Sequence, residues 1–408
     1  MANGMYGGGD GSADKPYLIE DAYDLFEFLN KVDTINTKMS AKLVNDIDLN
    51  VLPYNTGVGF LIKHNTPFMG TFDGDGYLIK NYFSRPNANY SGLFPYIGAT
   101  GVVKNFGMEN VDIQATAYTY QSAICGYMGT GGSIENVYVK GGRFYANAYS
   151  GAIIGHLING LIRNVYVLDV DIRQYGNYVG AVMGYMSTTS SFLYNVWASN
   201  TQSTVSNITY FGGVVGGITS AVSLQQMLNV YQSSRISYLG SGVTTGMVTL
   251  YPDSTLKDPN YMFNLNANQG NIANTYWVVQ PVTFPKLWFE DFKAFLMLDA
   301  GRPISNIDFG AVLEGGISKI KKVRLKNGYK YTIKGIDVGW VRADGVSTKT
   351  ELEFSMDGTF KDNYNPMSVN NLNILPGREF DLFVRVKTQI GVSGAGQFNI
   401  TVTVTSAE

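Results

Sequence analysis

Asp169, Asp171 and Arg173 alternate along one short stretch, with Glu135, Arg143 and Arg163 in neighbouring turns. Two carboxylates on one flank could cleave a glycosidic bond, one as acid and the other as base or nucleophile. The same residue types also form ion pairs on a solvated face, which is the plainer reading. Asp73-Gly-Asp-Gly76 has the opening spacing of a calcium loop but lacks the ordered oxygen ligands and the distal Glu, so it reads as a hairpin turn. Cys125 is the single cysteine, and only His64 and His156 are at hand as bases. It is expected to fill a strand's core position rather than act as a catalytic thiol, and no disulfide can form within the chain. Two histidines are too few for a His-rich metal site, and no metal or cofactor is expected. The glycine-rich run Gly126–Ser133 has no Lys where a phosphate loop requires one. The basic strand from Lys319 to Lys326 could touch an anionic glycopolymer or simply form the charged face of a sheet.

The aromatic residues are more suggestive, because they recur. A phrase repeats as Asn105-Phe-Gly-Met108, Asn136-Val-Tyr-Val139, Asn164-Val-Tyr-Val167, Asn195-Val-Trp-Ala198 and Asn229-Val-Tyr-Gln232, at steps of 31, 28, 31 and 34 residues. A period of this size means stacked repeat units. A small-residue strand travels in register with it: Tyr90 to Tyr96, Tyr120 to Tyr127, Tyr149 to His156, Tyr178 to Tyr185 and Phe211 to Ile218. Each repeat therefore holds two or three strands, the length of one rung of a parallel β-helix. Alternation points Val137, Val139, Val165, Val167, Val196 and Val230 into the coil. Tyr138, Tyr166, Trp197 and Tyr231 then form one outward ladder. Tyr96, Tyr127, His156 and Tyr185 form a second, and Tyr120, Tyr149, Tyr178 and Phe211 a third, with Tyr90 one residue out of step. The five asparagines form an amide ladder at a turn. Outward ladders of this kind pack on the faces of sugar rings, stiffen a solenoid or bury contacts between subunits. Tyr138, Tyr166, Trp197, Tyr231, Tyr127, His156 and Tyr185 are the candidate residues for glycan or subunit contact.

Composition agrees with a stacked β protein. Of 408 residues 45% are hydrophobic and only 15% charged, with 47 Gly, 28 Tyr and 22 Phe. A net charge of −2 argues against nucleic acid as the main partner, since phosphate binding needs a basic excess. No apolar run reaches the length of a membrane span, so no membrane insertion is expected. The first residues carry neither a basic nor an apolar region of a signal peptide. That favours a virion protein over an exported adhesin.

The run Lys42-Leu-Val-Asn-Asp-Ile-Asp-Leu49, then Gly70-Thr-Phe-Asp-Gly-Asp-Gly76 with Ile79-Lys-Asn81, then Gly92-Leu-Phe and the later Gly-Ala-Val-x-Gly strands resembles GLUG-repeat proteins over roughly residues 12 to 280. Pro95 stands where that pattern has Gly, and Gln225-Gln-Met replaces a clean apolar strand in the fifth repeat. The resemblance implies a parallel β-helix of the kind found in bacterial surface proteins, adhesins and phage virion proteins. Further on, Leu352 to Phe360, Leu375 to Val386 and the terminal Ile-Thr-Val-Thr-Val strand resemble immunoglobulin-like modules of virion proteins from phages of Gram-positive hosts.

The expected fold is all-β. A flexible lead (1–16) precedes a GLUG-type parallel β-helix (17–280), whose first rung is capped by a helix over Asp21–Val32. A capping or linker segment (281–304) carries Leu287–Leu296 as a short helix or plug. An immunoglobulin-like β-sandwich (305–408) follows. The expected function is that of a non-enzymatic structural protein of a bacteriophage virion, in a tail, fibre or head-decoration role. It would be homo-oligomeric, contact other virion proteins and bind host cell-wall glycopolymer. The alternatives are a bacterial cell-surface adhesin and a polysaccharide-degrading tailspike using Asp169 and Asp171.

Overall fold

The computed structural model describes residues 6–34, 37–62, 66–199, 202–204 and 210–257, and beyond these the strands and short stretches between 277 and 407. The chain is all-β and builds a β-solenoid of about six turns. Two compact units result. The first holds the solenoid together with Trp277–Glu290, and the second holds the strands from Phe295 onward.

Each turn of the solenoid lays one strand on the equivalent strand of the next, in parallel and in register. The longest sheet stacks Val102–Ala115, Ser133–Ala146, Gly160–Leu168, Ser191–Ser199 and Met227–Ser233. Within it Val137, Val165, Val196 and Val230 align, all buried. A second sheet stacks Phe94–Ile97, Cys125–Met128, Ile154–Leu157, Met183–Met186 and Val215–Ile218. A narrow third stacks Ser150–Gly151, Val179–Gly180 and Phe211–Gly212. The apolar residues of all three converge on one continuous core.

The corners follow from side-chain chemistry. Asn105, Asn136, Asn164, Asn195 and Asn229 all hold left-handed backbone, with φ between 54° and 60°. Asn tolerates that region better than other residues with a Cβ. Each amide nitrogen donates to the preceding rung's Oδ1 at 2.9–3.1 Å. The expected amide ladder is therefore present. Its first step is a carboxylate, since Asn105 donates to Asp73 Oδ1 at 2.9 Å. A second, shorter ladder runs from Asn110 to Asn81 to Asp48 at the next corner, at 2.6 and 2.8 Å.

The helix expected near the start spans Ala22–Thr34. Asp21 caps it, accepting from the amides of Tyr23 and Asp24 at 2.8 and 3.0 Å. Leu25, Phe28, Leu29 and Val32 are buried, with Phe28 against Phe68 and Phe72. The parallel stack begins before this helix, because Tyr17–Ile19 pairs with Ala41–Leu43. Residues 6–16, read from composition as a loose lead, are tied to it. Gly7 donates to Leu18 O, Leu18 to Gly8 O and Ser40 to Gly11 O.

Residues 281–304 divide differently from the expectation. Lys286–Leu287 pairs antiparallel with Trp277–Val278 in the solenoid unit. Of the run Leu287–Leu296, expected as a short helix or plug, Leu287 ends a strand of the solenoid unit and Phe295–Leu296 begin the strand Phe295–Asp299 of the second unit, while residues 288, 289 and 291–294 lie outside the described residues. Phe295–Leu298 pair antiparallel with Lys321–Asn327. Among the described residues the second unit has two antiparallel sheets. One contains Phe295–Asp299, Lys321–Asn327, Glu379–Thr388 and Thr350–Ser355, and the other Met367–Val369, Ile333–Arg342 and Phe398–Ala407.

Candidate functional site

The first aromatic ladder forms in register. Tyr138 pairs with Tyr166, Tyr166 with Trp197 and Trp197 with Tyr231. Tyr138 and Tyr166 stack at 4.9 Å and Tyr166 and Trp197 at 4.4 Å, nearly coplanar. The expectation that it faces outward for a partner is corrected. Tyr138, Tyr166 and Trp197 are at most 2% exposed and Tyr231 is 7%. Trp277, Phe284 and Glu290, in the same unit, cover the ladder's Tyr166 and Trp197 steps. Phe284 stacks on Trp197 at 5.4 Å, Trp277 lies 6.3 Å from Tyr166, and the Tyr166 hydroxyl donates to Glu290 Oε2. Glu290 Oε1 accepts from the Leu287 amide, so its carboxyl group holds Leu287 and Tyr166 together. Burial pushes the Glu290 carboxyl up to about 7. Periodicity gives the outward direction of a side chain, but not what later folds over it.

The other two ladders merge into one accessible face. Tyr90, Tyr120, Tyr149 and Tyr178 stack at 4.7, 5.1 and 5.1 Å, and Tyr210 closes the column edge-on at 4.9 Å. The fifth member is Tyr210 rather than Phe211, which pairs with Val179 and points into the core. Tyr90 joins in step despite its shorter spacing. Alongside, Tyr96, Tyr127, His156 and Tyr185 align in register. Their rings meet edge-on or tilted at 5.0–5.7 Å. Gly217 takes the fifth place. The columns interlock, with Tyr120 over His156 at 5.6 Å and Tyr178 against Tyr185 at 4.6 Å. All nine residues are half-buried.

Backbone strain marks this face. Tyr90, Tyr120, Tyr149 and Tyr178 have φ of 62°, 61°, 55° and 60°. A bulky residue in the left-handed region is uncommon and costs about 1 kcal/mol or more. The neighbouring strand makes room with glycine. A Cβ at Gly155 would sit 2.5 Å from Gly126 O, and one at Gly184 2.4 Å from the Ser150 nitrogen. His156 Nε2 shares a hydrogen bond with Ser187 Oγ. Burial lowers its imidazole to about 4, so the ring is neutral near pH 7. Burial also raises the phenols of Tyr120, Tyr127, Tyr178 and Tyr185.

The residues with spacing for chemistry are held in structural contacts. Asp169 occupies a corner with φ of 57°, and Asp171 pairs with Arg173 at 3.4 Å. Arg143 grips Asp112 through two bonds of 2.7 Å, and Arg163 grips Glu135 at 2.6 and 2.9 Å. Asp73 accepts from Asn105 and the Asp75 amide and pairs with Lys104, while Asp75 pairs with Lys42. No cluster of three potential metal ligands occurs among the described residues. Cys125 lies in the core, its thiol pushed up to about 12 by burial. His64 lies outside the described residues. On the basic strand, Lys322 pairs with Asp381 at 2.8 Å.

No protein-family profile matches the chain, and no solved structure matches it. Two curated proteins are similar over part of it. A Gly-rich membrane protein of Evansella cellulosilytica is 35% identical over 107 residues, 26% of this chain and 12% of that protein. Halomucin of Haloquadratum walsbyi is 32% identical over 165 residues, 38% of this chain and 2% of halomucin. The chain thus spans a small fraction of the length of both. No helix among the described residues is long and apolar enough to cross a membrane.

Proposed function

We propose that this chain is a non-enzymatic structural protein whose solenoid carries a glycan-binding tyrosine face. In this reading it is a tail, fibre or head-decoration component of a bacteriophage virion. The observation that carries the binding function is the strained tyrosine column. The corner at Asn164 shows how this fold meets a need for left-handed backbone, with a residue that tolerates it. On the tyrosine face the same backbone is held by Tyr in four successive rungs, at a cost in stability, and the result is an array of half-buried tyrosines. Within the column the ring faces cover one another, so ring edges and phenol hydroxyls meet a sugar there, while Tyr127 and Tyr185 stand at 76° and 81° to it and would offer the faces on which a sugar ring packs.

The virion setting rests on the resemblance of the strands beyond 305 to immunoglobulin-like phage modules, which dock rather than catalyse. The Ala22–Thr34 helix acts as the cap of the first rung, blunting an end that would otherwise pair with another chain. Side-by-side homo-oligomers and contacts to other virion proteins complete this reading. A second setting, the bacterial cell surface, is favoured by the similarity to a Gly-rich membrane protein. A tailspike hydrolase would require Asp169 and Asp171, one of which serves a corner and the other an ion pair.

The test is incubation of the protein with Gram-positive cell walls and their isolated glycopolymers, measuring both pull-down and newly released reducing or unsaturated ends. Capture without release is expected. Release with turnover, lost in Asp171→Asn, would make the protein an enzyme and overturn the proposal.

A further inference from the structure

The charges of the solenoid are segregated. Between Pro86 and Ser234 every Asp, Glu, Lys and Arg falls within 104–112, 135–143 or 163–173, on the longest sheet and its corner. The tracts 86–103, 113–134, 144–162 and 174–234 contain none. Those tracts build the whole tyrosine face. The stretches bridged to its two ends, at Phe68 and at Leu239 and Ser241, add no charge either. The exposed residues flanking the rings include Asn89, Thr100, Thr116, Thr130 and Asn177 beside Ala99, Ala117 and Tyr118, none of them charged, while Ile97, Met128, Leu157 and Met186 are buried.

Resting on the glycan-binding reading, we infer that the ligand of this face is an uncharged, extended polysaccharide lying along the stacking axis, each sugar unit meeting one rung. An anionic polymer laid here would lose water from its carboxylates or phosphates with no cation to pair them. His156 supplies none near neutral pH, since burial keeps it unprotonated. A neutral glycan meets no such cost, because rings serve its apolar faces and phenol, amide and hydroxyl groups its rim. The column repeats at 4.7–5.1 Å with ring faces turned to one another, so a phenol edge and its hydroxyl recur at every step for a sugar's rim to meet. A second copy of this chain is the weaker fit, because an interface centre of this size is ordinarily sealed by apolar side chains, and here the aliphatics are turned to the core.

The test is calorimetric titration of the full chain with oligosaccharides of graded length from a neutral β-glucan and a neutral mannan, beside a polyuronate and a polyglycerolphosphate. The oligomeric state is followed by sedimentation. Tyr127→Ala with Tyr185→Ala removes two rings from positions without left-handed strain. The Phe pair at the same sites keeps the stacking and controls for folding. At least one neutral series should bind, tightening with length up to about five units as rungs are engaged together. Its affinity should change less than about two-fold between about 0.05 and about 1 M salt. The Ala pair should lose at least about ten-fold and the Phe pair far less. Binding only to the anionic series, weakening steeply with salt, would overturn this inference and leave the glycan-binding reading standing. No binding to either series would overturn both. An oligomer that the Ala pair dissociates would then assign the face to a second copy.

Discussion

Asn164 shows what one residue contributes to this fold. It is fully buried, donates to Asn136, accepts from Asn195 and holds φ of 54°. Asn164→Ala breaks both ladder bonds and keeps the strained backbone, for a loss of about 3 kcal/mol. Asn164→Gly breaks the same bonds but relieves the backbone, and should recover about 1 kcal/mol of that loss. Urea titration of the two variants checks the order. Tyr149→Asn probes the opposite case. It removes a ring from a position with φ of 55°, so stability should stay within about 1 kcal/mol of the parent while glycan binding drops by about ten-fold. A large loss of stability with binding intact would make the column purely structural. His156 sets a pH dependence. Its folded value is depressed to about 4 from 6.5, so the unfolded chain takes up the proton first. Stability should fall, by about 2 kcal/mol, as pH drops through that window. His156→Phe should flatten this part of the melting curve. The amide ladder was readable from five spaced asparagines. Its Asp73 end and the Asp48–Asn81–Asn110 ladder were not, because they lie where the repeat is least regular.

At the scale of elements the strap over Tyr166 is the feature that periodicity missed. Glu290 lies 124 residues from Tyr166 in the chain, and no repeat connects them. The same sequence pattern, an outward aromatic on each rung, yields one ladder that is sealed and another that is open. What separates them is an antiparallel pair from outside the repeats, Trp277–Val278 with Lys286–Leu287. The groups facing Glu290 are Tyr166 and Tyr138, with Glu109, Lys140 and Lys286 at longer range. Its carboxyl is raised from 4.5 to about 7, so its contribution to docking is complete below 4.5 and lost as pH rises through about 7. The protection factor of the Leu287 amide should fall across that range, and Glu290→Gln should remove most of the dependence. Unchanged protection in the parent would contradict a buried, protonated Glu290. The helix, by contrast, was legible with its cap and buried stripe. Its place between the first two stacked strands was not, since Tyr17–Ile19 is too short to carry a pattern.

The whole molecule separates its tasks by surface. Between Pro86 and Ser234 the charges gather on the longest sheet and its corner, where rung-to-rung pairs such as Arg143 with Asp112 tie neighbouring turns. The tyrosine face is left neutral. Two compact units predict two unfolding transitions in calorimetry, and a fragment ending at Glu290 should keep one of them. One transition for the full chain, absent from the fragment, would mean that the solenoid depends on the second unit. The solenoid was legible because five copies of one phrase repeat the same physical instruction. The strands beyond 305 were placed only approximately, each being a single instance. The most direct test of the central claim is hydroxyl-radical footprinting with and without excess neutral polysaccharide. Tyr96, Tyr127, Tyr149 and Tyr185 should label in the free protein and be protected in the bound one, while Tyr166 and Trp197 label in neither. Protection confined to the charged sheet, or none on the tyrosine face, would contradict the account.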